Sequence, residues 1–160
     1  MILKAELQDL ETLMAIIDEA KSFLKANNVD QWQDGYPNLE SLSEDIEENH
    51  LYKVVQDNEI LGLFALIDYE ETYNVIDGLW RCDKPYVAIH RVAISNKFKG
   101  QNKVKEIFDY VKKSHSYIRI DTHSDNKAMQ KALLKNGFEL CGTIYLKDGN
   151  PRLAFDYKAD

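Results

Sequence analysis

Residues 94–111, ISNKFKGQNKVKEIFDYV, combine residue types that could bind a phosphate group. Lys99 and Gly100 lie between the end of a predicted strand and the start of a predicted helix. A helix N-terminus offers unpaired N–H groups and a partial positive charge, and a glycine lets the backbone curl around an anion. The alternative is a solvated turn before a lysine-rich helix, because a single Lys-Gly pair is weak evidence by itself.

Two histidines are candidates for proton transfer. His90 lies on the strand before the lysine-containing turn, and His123 follows the strand YIRID, at the end where open α/β sheets bind ligands. Histidine is the side chain whose ordinary pKa lies nearest neutrality, which suits a general base. The alternative for His90 is a structural histidine hydrogen-bonded in the sheet. For His123 the alternative is a packing or capping role.

Aromatic and acidic side chains are concentrated in two predicted loop segments, QWQDGYPN and YEETYNVIDGLWRCDKP. An aromatic and acidic pocket suits a cationic amine. The candidate amine-binding residues are Trp32, Asp34, Tyr36, Tyr73 and Trp80. The alternative is that these aromatic side chains only anchor the loops to the domain.

The composition narrows the classes of function. A length of 160 residues suits one domain, so we expect a single domain over residues 1–160. The formal net charge of −7 disfavours a nucleic-acid partner and permits attraction of a cationic ligand. No apolar run approaches the roughly 20 residues of a membrane span, and no signal peptide is visible, so we expect a cytoplasmic protein without a membrane partner. Cys82 and Cys141 are the only cysteines and have no metal-ligand spacing, so we expect reduced thiols and no metal, and the alternative is a disulfide between the two.

The first half of the chain reads as a strand, two helices and a strand pair. Apolar spacing predicts an amphipathic helix over residues 7–27. A short second helix is predicted to be capped by Asn38 or Ser41, with a capping box between Ser41 and Glu44. The stretches LYKVVQD and ILGLFALID predict two strands around a turn at residues 57–59, followed by a long connection.

The second half alternates strands and helices. A β-branched strand over residues 86–94 precedes a helix from about residue 101 to 113. The strand YIRID, a helix capped by Asp125 and ended by Gly137, and a hairpin complete the chain. This order predicts an α/β fold in which a mixed central β-sheet is flanked by helices on both faces.

This element order and three stretches of sequence resemble the GNAT superfamily of N-acetyltransferases. The stretch IHRVAISNKFKGQNKVKEIFDYV is similar to the family's strand, phosphate loop and helix, roughly apolar-x-V-x-P-x-x-R-G-x-G-x-G/A. The stretch IRIDTHSDNKAMQKALLKNGFELCG resembles its strand, N-x-x-A helix and G-F turn, with matches at Asn126, Gly137 and Phe138. The ending GTIYLKDGNPRLAFDY is a hairpin of matching length. The resemblance covers the whole chain, and QWQDGYPN is similar to a bacterial subgroup of unassigned substrate.

The resemblance implies a GNAT-like (acyl-CoA N-acyltransferase) fold, with acetyl-CoA as co-substrate and a small-molecule or peptide amine as acceptor. It implies direct acetyl transfer in a ternary complex. The thioester carbonyl would be polarised by a backbone N–H near Val92 to Ile94. The residues that the resemblance assigns to acetyl-CoA are Val92, Ala93, Ile94, Lys99, Gly100, Gln101, Asn102, Lys103, Val104 and Asn126. Sheet edges in this fold can pair between subunits, so a homodimer is a further expectation.

The phosphate-loop segment departs from the family pattern. Lys99 stands where the family has Arg or Gln, Asn102 at its middle glycine, and Val104 where Gly or Ala is expected. Lysine still supplies charge, and asparagine is the non-glycine residue best able to adopt a left-handed backbone. Val104 could crowd a phosphate, which extra charge on Lys103 and Lys105 could offset. We expect acetyl-CoA binding to be retained with weakened affinity.

The tyrosine that usually acts as the catalytic acid in the family is absent from its usual position. Many family members protonate the leaving thiolate with a tyrosine four residues before the G-F glycine, and here that position is Leu133. Tyr145, on the next strand, is the substitute candidate for this acid. The alternative is that Tyr145 is only a half-buried strand residue with a structural role. The catalytic candidates are therefore Tyr145, His90 and His123. A second hypothesis, favoured by Asn102, Val104 and Leu133, is a catalytically silent GNAT-fold protein that binds a small ligand or a protein partner.

Overall fold

The computed structural model describes all 160 residues and contains eight strands and four α-helices. The strands are β1 (Ile2–Lys4), β2 (Leu51–Gln56), β3 (Glu59–Ile67), β4 (Ile76–Gly78), β5 (Val87–Ile94), β6 (Tyr117–Thr122), β7 (Glu139–Tyr145) and β8 (Pro151–Lys158). The helices are α1 (Leu10–Ala26), α2 (Leu39–Glu47), α3 (Lys103–Ser114) and α4 (Lys127–Lys135).

All eight strands belong to one mixed sheet with the order β1-β2-β3-β5-β6-β8-β7-β4. Strands β5 and β6 pair in parallel, with Val87 opposite Ile118. The pairs β1–β2, β2–β3, β4–β7, β6–β8 and β7–β8 are antiparallel. The parallel pair is joined through α3, and the antiparallel pair β7–β8 is a hairpin, as the element order predicts. The α/β fold class is therefore confirmed.

The chain divides into two compact units. The first comprises residues 1–66 and 91–107, and the second comprises residues 67–90 and 108–160. Strand β5 contributes its first half to the second unit and its second half to the first. The expectation of one domain over the whole chain stays a prediction.

Each unit has its own buried apolar cluster. In the first unit α1 presents Leu13, Ile16 and Ile17 to the core, at the three- and four-residue spacing of an amphipathic helix. Leu42 of α2 and Leu63 of β3 are fully buried with them. In the second unit the cluster of fully or nearly fully buried residues consists of Tyr73, Ala88, Ile144 and Ala154.

The structure corrects the predicted strand count. Strand β4 lies inside the predicted long connection and pairs with β7, so there are eight strands rather than seven. Its last residue, Gly78, lies opposite Gly142, and a Cβ at Gly78 would lie 2.2 Å from the Cys141 carbonyl oxygen. The two backbones therefore approach closely only because glycine occupies both positions. A three-residue strand is too short to show the alternation that identifies strands in sequence.

The structure confirms Asn38, one of the two candidate caps, as the N-cap of α2, and it corrects other details of the helix starts. The capping box of α2 joins Asn38 and Ser41, whose side chains accept each other's backbone N–H groups at 2.9 Å, and does not involve Glu44. Helix α3 begins at Lys103 rather than near residue 101, because the preceding residues have left-handed backbone angles. The cap of α4 is Asn126 rather than its neighbour Asp125.

Candidate functional site

Strand β5 and helix α3 are joined by residues 95–102, the 95–102 loop. A 3-10 turn over Asn96–Phe98 follows the strand. Gly100 and Asn102 then have φ values of 83° and 58°, both in the left-handed region. Glycine adopts such values without strain, and asparagine tolerates them better than other residues with a Cβ. Asn102 therefore makes the turn that a glycine would make at this position, as expected from the sequence.

The N-terminus of α3 completes this loop. The helix has twelve residues, and the N–H groups of its first turn, including those of Lys103 and Val104, have no acceptor within the helix. Apart from Gly100 and its two chain neighbours, no residue has an atom within 4 Å of the position that a Cβ would occupy at Gly100, so the backbone there is open. An open glycine beside the N-terminus of a helix is an arrangement that can hold a phosphate group.

The lysine ammonium groups of this segment are held by neighbouring side chains. The Lys103 ammonium, whose side chain is 14% exposed, donates to Oε1 of Gln56 at 2.7 Å and lies 3.4 Å from a Glu106 carboxylate oxygen. The Lys99 ammonium lies 3.3 Å from the centroid of the Phe23 ring on α1. The positive charge expected from the sequence is present, but both ammonium groups already have partners within the protein.

The second half of β5 is closely packed. Ala93 and Ile94 are buried, whereas Val92 is half-buried. A Cβ at Gly62 of β3 would lie 2.6 Å from Cδ1 of Ile94 and 3.0 Å from the Ala93 carbonyl oxygen. Glycine at position 62 therefore lets β3 lie close against these residues. The role assigned to Val92, Ala93 and Ile94 in acetyl-CoA binding stays a prediction.

Arg91, which sequence reasoning missed, has a φ of 57° within β5. A positive φ is uncommon for a residue with a Cβ and marks a locally strained backbone. Its guanidinium, 15% exposed, donates to a carboxylate oxygen of Asp45 on α2 and to the Tyr36 hydroxyl. It also lies 4.7 Å from the centroid of the Tyr36 ring. These partners are distant in sequence and leave no local pattern that would have identified Arg91.

Residues 28–38, the 28–38 loop, contain three of the predicted amine-binding residues. Trp32 packs against the apolar cluster of the first unit. A carboxylate oxygen of Asp34 accepts the Tyr36 N–H at 3.3 Å, and the Lys21 ammonium donates to the Pro37 carbonyl. Asp34 and Tyr36 keep exposed surface, whereas Trp32 is half-buried. Contact of these residues with an acceptor stays a prediction.

In the second unit His90 lies beside a carboxylate. Its Nε2 is 3.3 Å from Oε1 of Glu70, which is within ion-pair distance, although the geometry falls short of a hydrogen bond. Oε2 of Glu70 accepts hydrogen bonds from the backbone N–H and the hydroxyl of Thr72, both at 3.1 Å. The contact with His90 lowers the pKa of Glu70 to about 2, against the opposing effect of burial. Glu70 is therefore a carboxylate at neutral pH and can stabilise a positive charge on His90.

Tyr73 and Trp80 anchor the segment between β3 and β5. Tyr73 is 1% exposed, and its hydroxyl donates to a carboxylate oxygen of Asp121 at 2.7 Å. The indole N–H of Trp80 donates to the Tyr73 carbonyl at 3.0 Å, and the Arg119 guanidinium lies 4.2 Å from the Trp80 ring centroid. These contacts match the alternative stated above, in which the aromatic side chains anchor the loop to the domain. Tyr73 is too buried to contact an acceptor in this conformation, and an acceptor contact for Trp80 stays a prediction.

The start of α4 brings two further candidates together. Nδ1 of His123 accepts the backbone N–H of Asp125 at 3.0 Å, and Oδ1 of Asn126 accepts the N–H of Met129 at 3.2 Å. These bonds assign capping roles to both side chains, which is the alternative stated for His123. A catalytic role for His123 and an acetyl-CoA contact for Asn126 stay predictions.

Tyr145 lies at the end of β7 and is 47% exposed. It is paired with Pro151 of β8, and its hydroxyl forms no hydrogen bond within the protein. Leu133, at the position of the usual family tyrosine, is fully buried in α4. Tyr145 thus has an accessible phenol, which a general acid needs.

No group of three or more His, Cys, Asp or Glu side chains is arranged to hold a metal ion. Cys82 and Cys141 are both free thiols, as expected. Burial, together with the nearby Asp156 carboxylate, raises the pKa of Cys141 to about 12, so this thiol is protonated at neutral pH. No helix is long and apolar enough to span a membrane.

Comparison with known proteins identifies the family. No family sequence model and no curated protein matches the chain. A solved structure of a GNAT-family acetyltransferase from Streptococcus agalactiae is 32% identical, covers 100% of this chain and 95% of its own, and superposes with a TM-score of 0.93. The chain belongs to the GNAT family of acetyltransferases. The predicted family and enzyme class are therefore confirmed.

More distant structures share the fold of this GNAT protein. A GNAT-family acetyltransferase from Listeria monocytogenes is 18% identical, covers 99% of this chain and 94% of its own, and has a TM-score of 0.73. A ribosomal-protein-alanine N-acetyltransferase from Brucella melitensis is 16% identical, covers 99% of both chains and has a TM-score of 0.65. At these identities the comparison describes the architecture alone.

Proposed function

We propose that this GNAT protein transfers the acetyl group of acetyl-CoA to an amine by direct attack within a ternary complex. The observation that carries the proposal is the 95–102 loop, which turns through Gly100 and Asn102 into the N-terminus of α3. Its open glycine and the helix N–H groups suit the pyrophosphate of CoA. The backbone of Val92, Ala93 and Ile94 would pair with the pantetheine arm as an added strand does. The side chains of Gln101 and Asn126 are further proposed contacts.

The chemistry requires a defined set of bond and proton changes. The bound ammonium loses a proton, the neutral amine nitrogen then forms a C–N bond with the thioester carbonyl carbon, the C–S bond breaks, and the nitrogen gives up a second proton. The departing thiolate then takes a proton. A backbone N–H of the strand polarises the carbonyl oxygen, and positioning of the two substrates supplies much of the rate.

We assign the base to His90 and the acid to Tyr145. The Glu70 carboxylate 3.3 Å from His90 stabilises the imidazolium that forms when His90 accepts a proton. The Tyr145 hydroxyl has no protein partner, so it is available to donate its proton to the thiolate. His123 is the weaker candidate, because its Nδ1 already accepts the Asp125 N–H.

The acceptor is proposed to be a small-molecule or peptide amine that contacts the 28–38 loop. Asp34 supplies an exposed carboxylate and Tyr36 an exposed aromatic ring, the two groups that recognise an ammonium. The net charge of −7 attracts cationic molecules to the surface.

Release of free CoA thiol in the presence of acetyl-CoA and a panel of amines and peptides tests this function. Tyr145→Phe should lower kcat by about 10²-fold or more, the usual contribution of a general acid, with little change in the Kd for acetyl-CoA. Tyr110→Phe, on the partly exposed face of α3, is the matched control and should keep its turnover. Normal turnover in Tyr145→Phe would reject its role as acid. Acetyl-CoA binding without transfer to any amine would favour the catalytically silent alternative.

A further inference from the structure

The resting position of Lys99 is a contact with α1. Its ammonium lies 3.3 Å from the centroid of the Phe23 ring, a cation–π geometry. Burial against this surface lowers the pKa of Lys99 below that of an exposed lysine, while the nearby Glu19 carboxylate acts in the opposite direction. The lysine that precedes Gly100 in the sequence is therefore in contact with a ring from another element.

Phe23 has no part in the core that would explain its aromatic ring. It is 42% exposed, whereas the next residue, Leu24, is buried. Together with Asp18, Glu19 and Asn96, it lines an open groove of about 570 Å³ on the surface of α1. The principal charged contact of the ring is with the Lys99 ammonium. The ring and the neighbouring carboxylates thus form a surface that attracts this cation.

We propose that Phe23 holds Lys99 away from the phosphate-binding backbone, so that acetyl-CoA binding requires the ammonium to leave the ring for the pyrophosphate. The inference rests on the proposed function, because it concerns the same 95–102 loop. It makes Phe23 a residue that sets acetyl-CoA affinity without touching the ligand. It also gives a physical reason for the weakened affinity that the sequence predicts, since part of the attraction between Lys99 and phosphate would replace an existing contact.

The size of the effect follows from the strength of an exposed cation–π contact. Such contacts contribute about 0.5–1 kcal/mol, so freeing Lys99 should tighten acetyl-CoA binding about two- to fivefold. Phe23→Leu removes the ring at an exposed position and should leave the fold intact. Phe23→Tyr keeps a ring for the ammonium and should bind acetyl-CoA with the affinity of the natural chain.

A double-mutant cycle measured by calorimetric titration with acetyl-CoA tests the coupling. Phe23→Leu should lower the Kd about two- to fivefold, and Lys99→Gln should raise it. In the Lys99→Gln background, Phe23→Leu should have no effect, because no ammonium remains to be freed. Lys97→Gln is the matched charge control, since its ammonium pairs with Glu59 at 2.8 Å, and it should change the Kd less than Lys99→Gln does.

The outcomes separate this inference from the proposed function. If the natural chain does not bind acetyl-CoA, both are overturned. If it binds, and Phe23→Leu has unchanged or weaker affinity, the inference alone is overturned. Tighter binding of Phe23→Leu in both backgrounds would also overturn it, because the effect would then not pass through Lys99.

Discussion

Glu70 lies beside His90, a candidate catalytic residue, and the fold strongly lowers the pKa of its carboxyl group. Its contact with His90 lowers its pKa from the ordinary value of 4.5 to about 2, and bonds from Thr72 add to this against the effect of burial. The folded state therefore favours deprotonated Glu70. The stability that results is fully present above about pH 4.5 and is lost as the pH falls toward about 2.

Replacing this carboxylate should produce a pH-dependent loss of stability. We expect Glu70→Gln to lower the free energy of unfolding at pH 7 by about 1–2 kcal/mol, because a neutral amide interacts more weakly than a carboxylate with the His90 ring and the Thr72 donors. The difference from the natural chain should narrow below about pH 4.5 and disappear near pH 2. Urea unfolding at several pH values measures it.

The neighbouring Glu71 provides the control for this experiment. Glu71 is exposed and is the first residue of the 3-10 turn Glu71–Asn74, which Glu70 precedes, so Glu71→Gln should change stability little at any pH. A constant difference between Glu70→Gln and the natural chain from pH 7 to pH 2.5 would contradict the electrostatic account of the His90 pair.

At the scale of elements, the buried carboxylate of Asp156 on β8 forms hydrogen bonds with the segment that precedes β5. Asp156 has no exposed surface and accepts hydrogen bonds from the Arg81 backbone N–H at 3.0 Å, the Arg81 Nε at 2.5 Å and the Tyr117 hydroxyl at 2.8 Å. Burial alone would raise the pKa of Asp156, but the bonds from Arg81 and Tyr117 lower it. Its charge is therefore compensated within the second unit.

Removing this charge should destabilise the protein more than surface substitutions do. We expect Asp156→Asn to cost about 2–4 kcal/mol of unfolding free energy, because the Arg81 guanidinium loses its buried partner and an amide cannot accept all three bonds. Asp160→Asn, at the exposed C-terminus, should cost nearly nothing. Denaturant unfolding of both variants checks this, and equal stability of the two would show that the Asp156 bonds contribute little.

The sequence predicts a structural feature when neighbouring residues determine it. The prediction fails when the feature depends on residues that are distant in the sequence. The turn between β2 and β3 was predictable because Asp57 and Asn58 favour left-handed backbone angles, and both adopt them, at 52° and 65°. The cap of α4 was not, because Asp125 and Asn126 are both capping residues. In the structure Nδ1 of His123 accepts a hydrogen bond from the Asp125 backbone N–H, and Asn126 is the N-cap of the helix.

The same distinction applies to the candidate site. The left-handed turn at Asn102 follows from the backbone preference of asparagine and could be predicted. The contacts of Lys99 with Phe23 and of Arg91 with Tyr36 could not, because they join side chains that are far apart in the sequence. The sequence therefore located the turn of the 95–102 loop, whereas the present partners of its charged groups required the structure.

At the scale of the whole molecule, the family assignment and the sheet order agree with the predicted order of elements. The 32% identical GNAT structure covers the entire chain, so no segment lacks a counterpart in a known acetyltransferase. The homodimer and the small-molecule or peptide amine acceptor stay predictions. The central claim is that acetyl-CoA binds through the 95–102 loop.

Thermal unfolding with and without acetyl-CoA tests that claim most directly, using two glycine variants. Gly100 and Gly149 have similar φ values of 83° and 88°, and a Cβ at either would meet no atom within 4 Å. Gly100→Asp and Gly149→Asp therefore carry similar backbone strain, but only the first places a negative charge beside the proposed phosphate site. At about 100 times the Kd, acetyl-CoA should stabilise the natural chain by about 2.7 kcal/mol and raise its Tm by several degrees. Gly149→Asp should show the same rise and Gly100→Asp none, whereas no rise in the natural chain, or an equal rise in Gly100→Asp, would contradict the claim.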